Sequence, residues 1–137
     1  MGLLLDSSVL ISEERKGRNA QQAMAEIALR AAGEDVAVSI VTVIELAHGV
    51  VRANTAARKS TRQQFLNELM TIVPIHQVTI PIALRTGQID GESTAKGIRI
   101  ALADLLIGVT ALELGYRVAT SNLRHFQMIP GLGVVHL

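Results

Sequence analysis

Three acidic residues of this chain sit where almost nothing else is polar. Asp6 follows Leu3-Leu4-Leu5. Glu45 lies inside Ile40-Val41-Thr42-Val43-Ile44-Glu45-Leu46-Ala47, and Asp104 inside Ile100-Ala101-Leu102-Ala103-Asp104-Leu105-Leu106-Ile107. A charge in so apolar a segment is costly unless it is paired or ligating. Any fold must therefore bring these acids to an edge or to partners. Each alone has an ordinary explanation. Asp6 fits a helix N-cap. Glu45 fits a solvated helical stripe only poorly, because Val41 and Ile44 are apolar. Asp104 fits a salt bridge to Arg99 or Arg124.

The rest of the pattern alternates short apolar runs with longer helical ones. Leu3 to Leu5 reads as a buried strand that stops at Asp6. Asn19 to Ala32 puts Ala20, Met24, Ile27 and Ala31 on one stripe, ended by Gly33. Val36-Ala37-Val38 is a second strand, with Ser39 or Thr42 capping a helix that carries Glu45 to about Ala53. Thr61 to Thr71 is amphipathic through Phe65, Leu66, Leu69 and Met70. Ile72 to His76 reads as a strand confined to an edge by Pro74. Thr79-Ile80-Pro81 opens another helix. Gly97 breaks the chain before a buried helix from Ile100 to Leu114, capped by Gly115. Tyr116 to Thr120 and Gly133 to Leu137 are the last strands. With no repeat and no linker, residues 1–137 read as a single domain. The expected fold class is α/β, a three-layer α/β/α sandwich on a mostly parallel sheet of about five strands. Such sheets bind ligands at the carboxyl ends of their strands, where strand order reverses. Asp6 and Thr120 to Asn122 each follow a strand, and Glu45 and Asp104 lie early in helices.

Two like charges about 4 Å apart repel by roughly 4 kcal/mol at an effective dielectric near 20. Three acids in one cleft therefore need a cation or take up protons. An oxygen-only set suits Mg²⁺ or Mn²⁺, the usual ions of phosphoryl chemistry. The chain has no cysteine, which excludes thiolate sites and disulfides and fits a reducing, cytoplasmic setting. His48, His76, His125 and His136 show no metal-ligand spacing.

In this order and spacing the motifs resemble the PIN-domain ribonucleases, and among them the VapC-type toxins of toxin–antitoxin pairs. The resemblance runs from Leu4-Leu5-Asp6-Ser7-Ser8-Val9-Leu10-Ile11 through Ser39 to Leu46 with His48-Gly49. It continues in Ile100 to Ile107 and Ala111 to Gly115, and ends in Ala119-Thr120-Ser121-Asn122-Leu123-Arg124-His125-Phe126 and Ile129 to Leu132. It implies a PIN-like fold and Mg²⁺- or Mn²⁺-dependent endonucleolytic cleavage of RNA by activated water. By position Asp6, Glu45 and Asp104 match the three principal acids, as catalytic residues and metal ligands. Thr42 and Thr120 match supporting residues. Many relatives carry a fourth acid where this chain has Asn122, so a second tightly held metal is not expected. The resemblance further implies a cognate antitoxin laid along a groove, which the helices from Ser39 to Thr71 would line. It also implies a homodimer through late helices. The alternative is a non-cleaving PIN-like module that binds RNA or antitoxin, favoured only by Asn122.

Arg99, Arg124 and His125 flank the site motifs and are the candidate RNA contacts. Arg15, Lys16 and Arg18, and Arg58, Lys59 and Arg62, read as solvated basic clusters. Ser7 and Ser8 have no histidine partner and read as capping hydroxyls. A haloacid-dehalogenase phosphatase would need an acid where Ser8 stands. A response-regulator receiver would need adjacent acids near the first strand and a lysine after a late one. The net charge of +1 favours no partner, and aromatic residues at 2% argue against a row of stacking rings. Gly2 to Leu5 is too short an apolar run for a signal peptide, and no apolar stretch is long enough to span a membrane.

Overall fold

A strand whose every residue is apolar must be covered on both faces, and the first strand sets the architecture for that reason. A computed structural model describes residues 1–137. In it β1 (Gly2–Leu5) is buried throughout. Leu3 and Leu5 point into one core and Leu4 into the other. Each fully buried leucine stabilises the fold by about 1.5–3 kcal/mol. β1 is the middle of a five-stranded sheet with β2 (Asp35–Ser39), β3 (Ile75–His76), β4 (Arg117–Thr120) and β5 (Val134–His136). The order is β3-β2-β1-β4-β5, and every pairing is parallel. Leu5 stands opposite Val38 on one side and Ala119 on the other. Asp6, Ser39 and Thr120 therefore leave the sheet along one edge. The chain first winds from β1 to β2 and β3, then crosses back to β4, so strand order reverses beside β1.

On one face lie α1 (Ser7–Arg15), α2 (Ala20–Arg30), α3 (Ile40–Val51) and α4 (Ala56–Ile72). Leu10, Ile27, Leu46 and Leu69 pack there with Leu3, Leu5 and Val38. On the other face α5 (Ile80–Ala95), α6 (Leu102–Leu114) and α7 (Leu123–Gln127) cover Leu4, Ala37 and Val118. This is the expected three-layer sandwich. Gly108 lets α6 approach the segment after α7, since a Cβ there would overlap Ile129 Cδ1. Gly115 ends α6 with φ of 69°, a left-handed turn that favours glycine.

Several boundaries differ from the sequence reading. α4 begins at Ala56, earlier than Thr61, because Thr55 Oγ1 accepts the Arg58 amide at 3.1 Å. Its first turn carries no apolar stripe, so periodicity does not reveal it. Met70 is 42% exposed, and Val73 completes the buried row with Phe65, Leu66 and Leu69. The strand expected at Ile72 to His76 shrinks to Ile75–His76, since α4 runs through Ile72. Pro74 still contributes its carbonyl to the Val38 amide at 3.0 Å. Of the two capping candidates only Ser39 caps α3, accepting from the Val41 amide.

The basic cluster after α1 is not a free face. Glu13 is fully buried, and its carboxylate pairs with Arg18 and Arg30, with Lys16 at 3.7 Å. This ties the α1–α2 turn to the end of α2. Arg18→Ala or Arg30→Ala alone should cost about 1 kcal/mol, because the other arginine still neutralises Glu13. The double variant should cost more than the two together, about 3 kcal/mol or more, by stranding a buried carboxylate. Urea denaturation of the four proteins checks this; strict additivity would refute it.

Candidate active site at the carboxyl edge of the sheet

Asp6 leaves β1 in extended conformation, with φ of −73° and ψ of 152°, and occupies the N-cap position of α1. Its side chain caps nothing. The ordinary explanation for this acid therefore fails. Its amide donates to Ala119 O at 2.9 Å, continuing the pairing with β4. The carboxylate is 5% exposed and faces two hydroxyls. Ser8 Oγ donates to Oδ2 at 2.7 Å and Thr120 Oγ1 to the same oxygen at 2.9 Å. The hydroxyl oxygens in turn accept backbone amides, Ser8 from Ser121 at 3.1 Å and Thr120 from Asn122 at 2.9 Å. A hydroxyl has one proton and two lone pairs. Both protons go to Asp6, and the amides of the β4–α7 turn occupy acceptor positions. The two oxygens, 3.2 Å apart, then have no proton left for each other. Ser8 is thus a member of the site that the sequence reading set aside as a cap. The available signal was a hydroxyl two residues after an acid at a strand end.

Thr42 is fully buried and donates to Leu5 O at 3.2 Å, pinning α3 to the end of β1. Glu45 lies one turn further along α3. Its Oε1 is buried without a hydrogen-bond partner. Burial pushes this carboxyl above its ordinary range, and the Asp6 charge adds to the rise. The Ser7 hydroxyl opposes it, and Asp104 adds a smaller increase. Asp104 lies in the first turn of α6. Burial raises its pKa too, then the Asp6 charge, with His125 opposing. His125 Nδ1 is 3.4 Å from Asp104 Oδ2. Neither Arg99 nor Arg124, the partners expected from sequence, pairs with Asp104; both are exposed. Asn122 stands at the edge, exposed, its side chain capping nothing.

The fold thus brings Asp6, Glu45, Asp104, Thr42, Thr120, Asn122 and His125 to the carboxyl edge of the sheet. No three acidic or histidine side chains surround a common ion position in this arrangement. The donor chemistry nevertheless suits a hard divalent cation, with carboxylate oxygens only and an orphaned Glu45 Oε1. Glu45 also lines a groove of about 190 Å³ between α1, α3 and α4. Leu10, Ile11, Leu46, Phe65 and Leu66 form its walls. Arg15 and Arg62 stand along it, and Arg62 Nη1 donates to Gly49 O at 2.7 Å.

The PIN domain family model matches residues 3–131. The chain is 27% identical to Ribonuclease VapC1 of Rickettsia felis, over 98% of this chain and 96% of that protein. It is 30% identical to the tRNA(fMet)-specific endonuclease VapC of Salmonella typhimurium, over 71% of each. The solved structure of FitAcB from Neisseria gonorrhoeae matches with a TM-score of 0.75 and 28% identity, over 96% of this chain and 95% of that one. VapBC2 from Rickettsia felis, bound to a promoter DNA fragment, matches with a TM-score of 0.83 and 23% identity, over 100% and 99%.

The raised carboxyl pKa values carry a stability cost. An acid whose folded pKa lies above its unfolded value destabilises the fold while ionised, and the cost fades as pH falls through that range. Without divalent cations, Asp104→Asn should melt higher than the unsubstituted protein at neutral pH. The gap should close as pH falls into the ordinary carboxylate range. Thermal unfolding in chelator across that pH range measures it, and a gap that widens on acidification would contradict the assignment.

Proposed function

The chain belongs to the PIN-domain family, and from that premise we propose that it is a Mg²⁺- or Mn²⁺-dependent endoribonuclease, the toxin of a toxin–antitoxin pair. The observation that carries this reading is the shared address of Asp6, Glu45 and Asp104 at one sheet edge, where the Asp6 charge raises the pKa of both other acids. Its VapC relatives are named as a ribonuclease and as a tRNA(fMet)-specific endonuclease, and that supports RNA as the substrate. Asp6 and Asp104 would hold the metal, with Glu45 binding it or orienting the attacking water. When bound, the ion would offset phosphate charge and lower the pKa of water.

The chain's own groups set the geometry. Ser8 and Thr120 hold Asp6 Oδ2 in one orientation, leaving Oδ1 without a hydroxyl donor. Thr42 fixes the turn of α3 that presents Glu45. His125 steadies Asp104. Water would attack phosphorus and give up a proton to solvent, a bridging P–O bond would break, and the leaving oxygen would depart with a proton from solvent. Asn122 can donate an amide hydrogen to a phosphate oxygen but adds no charge. No side chain stands ready as a covalent nucleophile.

The partner reading follows the groove. Its apolar walls suit a helix or extended segment of an antitoxin, and its Glu45 end suits a cation from that segment. Solved structures of similar fold are described as a member of the VapBC family of toxin-antitoxin systems from Mycobacterium tuberculosis and as a toxin-antitoxin complex from Klebsiella pneumoniae. Ile80, Leu84 and Leu102, exposed on α5 and α6, suit a homodimer through late helices. No helix is long and apolar enough to cross a membrane; a cytoplasmic location goes with an RNA substrate. The second reading, a non-cleaving RNA- or antitoxin-binding module, draws on Asn122 and on the open spacing of the acids.

Total RNA incubated with the purified protein separates the two. Cleavage should require Mg²⁺ or Mn²⁺ and stop in excess chelator. Asp6→Asn, Glu45→Gln and Asp104→Asn should lose more than the ~100-fold that removal of an outer-shell partner costs. Wild type no better than these variants would establish the binding module instead. Ser8→Ala should weaken Mn²⁺ binding by about 10- to 100-fold, measured by calorimetric titration, while Ser8→Thr retains it. Equal Mn²⁺ affinity in wild type and Ser8→Ala would remove Ser8 from the site.

A further inference from the structure

A ribonuclease that reads single-stranded RNA needs flat groups on which bases can stack. This chain is poor in them, with no Trp, one Tyr and two Phe. Phe65 and Phe126 are both buried. Tyr116 lies so close over Gly2 that a Cβ there would meet its ring at 2.5 Å, and it stands edge-on to His76 at 6.5 Å. No aromatic ring of Phe or Tyr is free. The remaining planar groups are imidazoles and guanidiniums, and the fold gathers three of them in one place.

That place is a cleft of about 270 Å³ lined by Ser121, Asn122, Leu123, Arg124, His125 and His136. It adjoins the acids directly, because His125 Nδ1 lies 3.4 Å from Asp104 Oδ2. The position of His136 follows from sheet register. It ends β5 opposite Thr120, which holds Asp6, and the next residue donates its amide to Thr120 O at 3.3 Å. Arg124, His125 and His136 are all exposed, and none of the chain's acids lines the cleft. The Asn122 side chain takes no capping bond and is free to meet a base edge.

We propose that this cleft is a nucleotide subsite beside the cleaved phosphate, in which His136 stacks on the base and Arg124 holds the flanking phosphate. It rests on the ribonuclease reading above and adds a specificity determinant outside the acidic residues. A stacking platform tolerates every base, so the subsite favours an unpaired nucleotide over a paired one without demanding one sequence.

The cleaved phosphate is first mapped on total RNA, and a synthetic oligoribonucleotide spanning it then serves as substrate. His136→Ala should raise KM by about 5- to 100-fold, the loss of one base stack, with kcat nearly unchanged. His136→Phe should restore KM towards wild type, since a phenyl ring stacks but neither donates nor carries charge. An abasic nucleotide beside the cleaved phosphate should erase the difference between wild type and His136→Ala. Arg124→Ala should raise KM and flatten its salt dependence. A cleaving wild type whose KM is untouched by His136→Ala, or a His136→Phe no better than Ala, overturns the subsite alone. Loss of antitoxin binding with unchanged KM would assign the cleft to that partner and overturn it as well. A wild type that cuts nothing in Mg²⁺ removes the ribonuclease reading and the subsite with it.

Discussion

The buried carboxylate of Asp6 is the constraint on which the site depends. It sits at the end of the strand that both cores require, so it cannot move without moving β1. Two hydroxyls converge on one of its oxygens, one from α1 and one from β4. The same hydroxyls accept the amides that begin the turn into α7. Thr42 attaches α3 to the carbonyl just before it. Two elements of different sequence address are therefore keyed to a single charged group, and a third to the carbonyl beside it. A buried carboxylate with no cation is normally costly. Here donors from the protein and proximity to an open crevice make it tolerable.

Glu13 shows what the same chain does with an acid that is purely structural. It lies at the other end of α1, is fully buried, and is met by two arginines and a lysine. The molecule has basic residues to spare, yet it places none against Glu45 and only an imidazole against Asp104. Acids left without a cationic partner at a sheet edge, with Glu45 and Asp104 driven up by burial and by the Asp6 charge, are what a site for a positive ligand looks like. A fold optimised for stability alone would pair them as it pairs Glu13.

Much of this was legible in the sequence, for physical reasons. Leu3 to Leu5 could only be a doubly covered strand, and that implied the parallel sheet and the address of Asp6. Gly115 and the apolar helix before it located α6, hence Asp104. What escaped were features carried by contacts between distant residues. The pairing of Glu13 with Arg30 spans the α1–α2 turn, so Arg18 looked like part of a solvated cluster with Arg15 and Lys16. Ser8 looked like a cap because helix-start serines usually are. Asp104 met His125 of α7, where sequence proximity had pointed to Arg99 or Arg124. The first turn of α4 lacked an apolar face altogether and was held by a single threonine cap.

Glu45 belongs to two features at once, and this has a consequence for control. Its carboxylate stands with the other acids at the sheet edge, and its side chain also lines the groove between α1, α3 and α4. In the proposed reading an antitoxin segment filling that groove ends beside an orphaned carboxylate oxygen. A cation brought there would satisfy Glu45 by the same electrostatics that draw a metal ion to it. Inhibition then needs no rearrangement of the fold. It needs only that two positive ligands compete for one unpaired charge, with the apolar walls of the groove supplying the affinity that lets the protein partner win.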